Sequence, residues 1–130
     1  MDPAETHAFD ISELARRAAV SSRTIRYYEE LGLLHPAARG GGRRRLYDLE
    51  ALERLQFISR LKTLGLTLDE IGALARAFDA GSTPAMLDEL ERLLDAHIEE
   101  VTDRVRQLEQ LGRQLREYRQ RIRARRQGGK

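Results

Sequence analysis

Arg23, Arg26 and Tyr27 sit close together in the stretch Ser22-Arg23-Thr24-Ile25-Arg26-Tyr27-Tyr28. A guanidinium is a planar fork of donors that fits a phosphate or the edge of a guanine. A tyrosine hydroxyl can donate to a phosphate oxygen. Further along, Arg39, Arg43, Arg44 and Arg45 fall within seven residues, separated by Gly40-Gly41-Gly42 and with no acid among them. Arginines on a glycine-rich loop can follow a phosphate backbone or enter a narrow minor groove. A lone arginine of this kind reads as a solvated surface charge. The whole set, in this context, reads as a nucleic-acid contact.

Other chemistries find no foothold. Cysteine is absent, which removes disulfides, thiolate metal sites and a cysteine nucleophile. His7, His35 and His97 are not spaced as metal ligands. No Ser-His-Asp set stands out, and Gly40-Gly41-Gly42 lacks the Lys-Ser/Thr of a phosphate loop. Glu99-Glu100 belongs to a charged helix face, and His97 is a tolerated polar residue near a helical seam. The expectation is a protein with no cofactor, no metal and no enzymatic activity.

The elements that must carry the arginines follow from caps and periodicity. Ser12 is a good N-cap for a first helix to about Ala18, with Glu13 in its first turn. After a turn at Ala19-Val20, Ser21 caps a second helix, roughly Ser22 to Leu31, stopped by Gly32. Ile25 and Tyr28 share one face and read as core. Arg23, Arg26 and Tyr27 point toward another. Pro36 and the glycines make the next stretch turn-rich. Its flanks, Leu33-Leu34 and Arg45-Leu46-Tyr47, are expected to pair as a small β-hairpin, and Tyr47 leans toward packing that holds it. Asp48 caps a third helix carrying Leu52, Leu55, Ile58, Leu61 and Leu64, ended by Gly65. Thr67 and Glu70 form a capping box, with Leu66 and Ile71 as its staple, for a fourth helix to about Asp79. Two short helices joined by a tight turn have the length of a helix-turn-helix, whose second helix enters the major groove.

Thr83-Pro84 opens the last helix, with proline at its first position. Leu87, Leu94, Val101, Leu108, Leu115 and Ile122 recur every seven residues. Leu90, Ile98, Val105, Leu111 and Tyr118 fill the seam, and Gly112 marks a bend or fraying point. About 40 residues of helix span about 60 Å. No small domain covers such a stripe, so it calls for a partner helix. From Ala85 to Asp103 there are seven acids and one arginine; from Arg104 to Arg126, nine arginines and two acids. A parallel pair would set like charges side by side. An antiparallel pair sets each block beside its opposite, so an antiparallel homodimer is expected. The basic tail touches DNA or stays disordered.

Composition agrees. Charged residues make up 34% and aromatics 5%, which suits helices with wide solvated faces better than one thick core. No apolar run approaches a membrane span and the acidic N-terminus is unlike a signal peptide. A soluble, cytoplasmic chain with no membrane partner is expected.

Ile11-Ser12-Glu13-Leu14-Ala15, then Val20-Ser21, then Thr24-Ile25-Arg26-Tyr27-Tyr28-Glu29-Glu30-Leu31-Gly32-Leu33-Leu34, resembles the signature of the MerR family of bacterial transcription regulators. Arg45-Leu46-Tyr47 resembles the end of that family's wing, and Leu64-Gly65-Leu66-Thr67-Leu68-Asp69-Glu70-Ile71 its second wing. The resemblance covers Phe9 to about Phe78, and the long helix follows where the family has its dimer helix. It implies a homodimer that binds promoter DNA with an unusually long spacer, usually by distorting it, with RNA polymerase at the same promoter. Two residues depart from the pattern. Ala19 stands where glycine is frequent, costing about 1 kcal/mol if φ is positive there. Arg44 replaces a typical aromatic of the wing.

The expected fold is mainly α: a leader at residues 1–9, a winged helix-turn-helix domain at 10–79 with a β-hairpin wing, an antiparallel coiled-coil helix at 84–126 and a tail at 127–130. The expected DNA-binding residues are Ser22, Arg23, Thr24, Arg26, Tyr27, Arg43, Arg44, Arg45 and Tyr47. The expected dimer residues are Leu87, Leu90, Leu94, Ile98, Val101, Val105, Leu108, Leu111 and Leu115. The resemblance also implies an effector: a metal, an oxidant or an organic molecule. The missing cysteines disfavour thiolate metal sensing and redox sensing. A small organic effector, bound where the long helix meets the partner's DNA-binding domain, is the remaining expectation, and no effector domain is read after the long helix. An architectural DNA binder without effector, or a coiled-coil adaptor whose basic loop binds protein, are the alternatives.

Overall fold

The structure, a computed structural model, describes residues 8–36, 38–39 and 45–128. Five helices and two short strands follow in order: α1 (Ile11–Ala18), α2 (Ser22–Glu30), β1 (Ala38–Arg39), β2 (Arg45–Leu46), α3 (Leu49–Thr63), α4 (Leu68–Asp79) and α5 (Thr83–Gly128). Two compact units divide the chain, the first ending at Leu90 and the second beginning at Glu91.

In the first unit the caps set the helix boundaries. Asp10, not Ser12, caps α1: its carboxylate accepts the Glu13 N–H at 2.8 Å. The reason is the preceding residue. Phe9 forms an antiparallel bridge with Tyr47, each N–H donating to the other's carbonyl, at 2.7 and 2.8 Å. The chain is therefore extended up to Asp10 and turns helical only after it. Phe9 is buried, so it is part of the core rather than of a loose leader. Ser21 caps α2 and Asp48 caps α3, through the N–H groups of Thr24 and Ala51. Thr67 and Glu70 close a reciprocal capping box at the head of α4, satisfying two backbone donors that would otherwise lack partners.

α1 packs on α2 and α3, and α3 on α4. The core is one apolar cluster built on Leu14, Ile25, Leu55, Ile58, Ile71 and Leu74. Each such side chain contributes roughly 1.5–3 kcal/mol by leaving water. Leu33 and Leu34 join this core and are fully buried. The strand partner of Arg45–Leu46 is Ala38–Arg39 instead, in the register Ala38↔Leu46 and Arg39↔Arg45. Burial of both leucines in succession requires an irregular turn into the core, whereas a strand would alternate their faces. Of the apolar positions expected on α3, Leu55, Ile58 and Leu61 are buried, while Leu64 is exposed at the C-cap.

α5 spans 46 residues, about 69 Å at 1.5 Å per residue. It runs unbroken through Gly112, where a bend or fraying was the expectation. One glycine costs about 1 kcal/mol in a helix, and cooperative propagation from long flanks offsets it. The helix also continues to Gly128, past the expected end near Arg126. In the second unit, from Ile98 through Val101, Val105, Leu108, Leu111 and Leu115 to Tyr118 and Ile122, the heptad stripe is exposed along the single chain. Among the described residues no helix is long and apolar enough to cross a membrane.

Candidate nucleic-acid interface

The α1–α2 turn determines how α2 is presented. Ala19 sits in the left-handed region at φ 57, ψ 41, and its N–H and that of Val20 return to carbonyls of α1. Ala19 is the one non-glycine residue with positive φ among the described residues. The turn therefore adopts the geometry that glycine suits, with alanine in its place. Ser21 then closes the head of α2: its hydroxyl accepts from the Thr24 N–H at 3.0 Å and donates to Thr24 Oγ1 at 2.9 Å.

α2 divides into two faces. Ile25 and Tyr28 are buried. Burial pushes the Tyr28 phenol above its ordinary value, and neighbouring Tyr27 adds to the effect, so Tyr28 is a neutral core residue at physiological pH. Arg23, Arg26 and Tyr27 are exposed, Tyr27 by 48%. At spacings of three and four they form one cationic strip on the helix surface. Ser22 and Thr24 are half-buried beside it.

The far end of α2 is fastened from behind. The Tyr47 hydroxyl donates to Glu29 Oε1 at 2.8 Å. Tyr47 itself is fully buried. This corrects its place among the DNA-contacting residues: a side chain with no exposed surface cannot reach a phosphate, and Tyr47 acts as an internal strut. Glu29 was not singled out from the sequence, although it lies four residues after Ile25 and so on the buried side of the helix. β2 carries Arg45, whose backbone pairs with Arg39. Arg43 and Arg44 lie outside the described residues.

A second fastening was also missed in the sequence. Arg54 on α3 donates from Nε to the Leu33 carbonyl at 2.6 Å and, through both terminal nitrogens, to the Asp79 carboxylate at 2.7 and 2.9 Å. It thereby joins the segment after α2 to the end of α4. The available signal was its helix face, shared with Ile58 and Leu61. The hydrogen bonds from Arg54 hold the Asp79 carboxyl below the ordinary carboxylate range, against a smaller opposing effect of burial. His35 lies near the same carboxylate, Nε2 to Oδ2 3.7 Å. His97 is half-buried on α5 and His7 lies outside the described residues. Among the described residues no group of three or more His, Asp or Glu side chains could hold a metal ion.

The family model described as MerR HTH family regulatory protein matches residues 9–77, and that described as MerR, DNA binding matches residues 52–118. The chain is 39% identical over 110 residues to the HTH-type transcriptional regulator ZntR homolog of Haemophilus influenzae, covering 85% of this chain and 80% of that protein. It is 34% identical over 113 residues to the mercuric resistance operon regulatory protein of Bacillus cereus, covering 87% and 84%. The crystal structure of the transcription regulator PbrR691 from Ralstonia metallidurans CH34, in complex with lead(II), superimposes with a TM-score of 0.69 at 38% identity, covering 86% of each chain. With the helix pair, the exposed cationic strip of α2 and matches of this extent, the chain belongs to the MerR family of DNA-binding helix-turn-helix transcription regulators.

Proposed function

We propose that this regulator binds promoter DNA as an antiparallel homodimer in the cytoplasm, distorts the DNA between two half-sites for RNA polymerase, and responds to a small organic effector. The carrying observation is the pairing of two surfaces on one chain: the cationic strip of α2 and the exposed heptad stripe of α5. A symmetric dimer presents α2 twice, to half-sites related by the dimer axis. Bending the intervening DNA costs on the order of several kcal/mol, offset by phosphate contacts. Arg23 at the head of α2 reads a base, with Ser22 and Thr24 beside it. Arg26 and Tyr27 hold phosphates. Arg43 and Arg44, with Arg45 of β2, serve as the wing on the backbone.

The charge blocks of α5 favour the antiparallel pair, because acid then faces arginine along the seam. The organic effector rests on the absence of cysteine. Relatives are named for mercuric resistance or solved with lead(II), and soft metals of that kind select thiolate ligands, which this chain cannot supply.

The test uses the full chain and a Val101→Glu, Leu108→Glu variant. Sedimentation should show a dimer for the first and a monomer for the second. Footprinting upstream of the protein's own gene should show two symmetric half-sites, protected by the parent chain and lost in the variant. A dimeric variant would refute the interface. Protection no stronger than on random competitor DNA would refute promoter specificity.

A further inference from the structure

A cavity of about 260 Å³ opens between α3 and α4 in the first unit, with Met86 at the start of α5 on its wall. Helical spacing builds it. Glu50, Glu53, Arg54 and Phe57 share one face of α3, and Ile71, Leu74 and Phe78 share the facing side of α4. The floor is apolar. Phe78 is 43% exposed, a large ring left open to water at the cavity rather than in the core.

The polar groups at the mouth are not balanced. Arg54 is committed to the Leu33 carbonyl and to both oxygens of Asp79, so its charge is already matched. Glu50 and Glu53 are exposed, and no ion pair or hydrogen bond of their side chains is formed among the described residues. Two exposed carboxylates therefore stand over an apolar, aromatic-walled cleft. The ring of Phe78 already has the Arg54 guanidinium 5.9 Å from its centre, a distance at which a ring face attracts a cation.

We infer that this cleft binds a small organic cation, an ammonium carrying one aromatic or branched aliphatic group. The carboxylates of Glu50 and Glu53 pair with the charge, while Phe57, Phe78 and Met86 enclose the apolar body. The volume lies just below the usual range of ligand clefts, so it suits a single-ring amine and excludes large polycyclic compounds. An anion of the same size meets two carboxylates and is rejected. The inference deepens the organic-effector reading and rests on it for biological meaning. The binding itself does not depend on DNA.

Benzyltrimethylammonium is the probe, with phenylacetate as the anionic control, titrated calorimetrically into the full chain. One cation should bind per chain, and phenylacetate should not bind. Glu50→Gln, Glu53→Gln, two exposed changes compatible with folding, should weaken the cation about tenfold. Phe78→Ala should also weaken it several-fold. No binding by the parent chain, equal binding of phenylacetate, or full affinity in the Glu50→Gln, Glu53→Gln variant would each overturn the site. Promoter binding is then measured with the probe present. Binding of the cation with an unchanged promoter complex upholds the cleft and refutes the effector reading. A promoter response that persists in the double variant upholds an organic effector and refutes this cleft as its site.

Discussion

The Tyr47 hydroxyl donates to the Glu29 carboxylate at 2.8 Å, across 18 residues of sequence. One partner lies in the last turn of α2. The other follows the last paired strand and bridges to Phe9. The end of α2 and the segment after β2 are thus joined from inside the domain. A hydrogen bond to a charged group is worth about 1.5–3 kcal/mol, and its loss leaves the partly buried carboxylate with one donor fewer.

Tyr47→Phe keeps the packing of the ring and removes that donor. Urea denaturation should show a loss of about 1.5–3 kcal/mol. Operator affinity should also fall, because α2 and the segment after β2 are no longer set by the same strut. A variant as stable as the parent would show that Glu29 is served equally well by its other surroundings.

Ala19→Gly should stabilise the protein. Alanine in the left-handed region costs roughly 1–2 kcal/mol, and glycine returns part of that gain as extra unfolded-state entropy. The expected net is about 0.5–1 kcal/mol, read as a rise in thermal midpoint. A fall would mean that the methyl group of Ala19 contributes contacts outweighing the strain.

The Arg54–Asp79 pair makes stability depend on acid pH. Its folded-state carboxyl is held below the ordinary value, mainly by the Arg54 hydrogen bonds. The contribution is therefore fully present above the unfolded value of about 3.9 and is lost as pH falls through the lower folded value. Asp79→Asn should cost no more than about 1 kcal/mol at neutral pH, since the Asp79 side chain is 39% exposed and water screens it. The difference between parent and variant should shrink below about pH 4. A difference independent of pH from 7 to 3 would rule out the ion pair as its source.

Arg23→Ala and Arg26→Ala should differ in kind. A bidentate contact with guanine provides about 1–3 kcal/mol of discrimination. The Arg23 variant should then tolerate a substituted base pair at symmetric positions of both half-sites. The Arg26 variant should lose affinity uniformly, with a salt slope lower by about 0.9. A panel of single-base operator variants distinguishes the two outcomes. Uniform losses for Arg23→Ala would make it a phosphate ligand.

The sequence by itself determined the elements whose causes are local. Ser21, Asp48 and the Thr67–Glu70 box stand directly before the helices they start, because a cap acts within three residues of itself. The periodic faces of α2, α3 and α5 were legible for the same reason: a spacing of three or four is a property of the chain. The arginine strip of α2 was readable as an exposed face once Ile25 and Tyr28 marked the other side. What depends on distant segments was not readable. Asp10 replaced Ser12 as the cap because Tyr47, far along the chain, keeps Phe9 extended. Leu33 and Leu34 left the expected hairpin because the core offered both of them burial. Tyr47 turned inward to Glu29, and Arg54 found Leu33 and Asp79, because such bonds form only after helices from separate parts of the chain have packed. The cleft between α3 and α4 is of the same kind. Each helix encodes one wall, and only their packing makes a space between them.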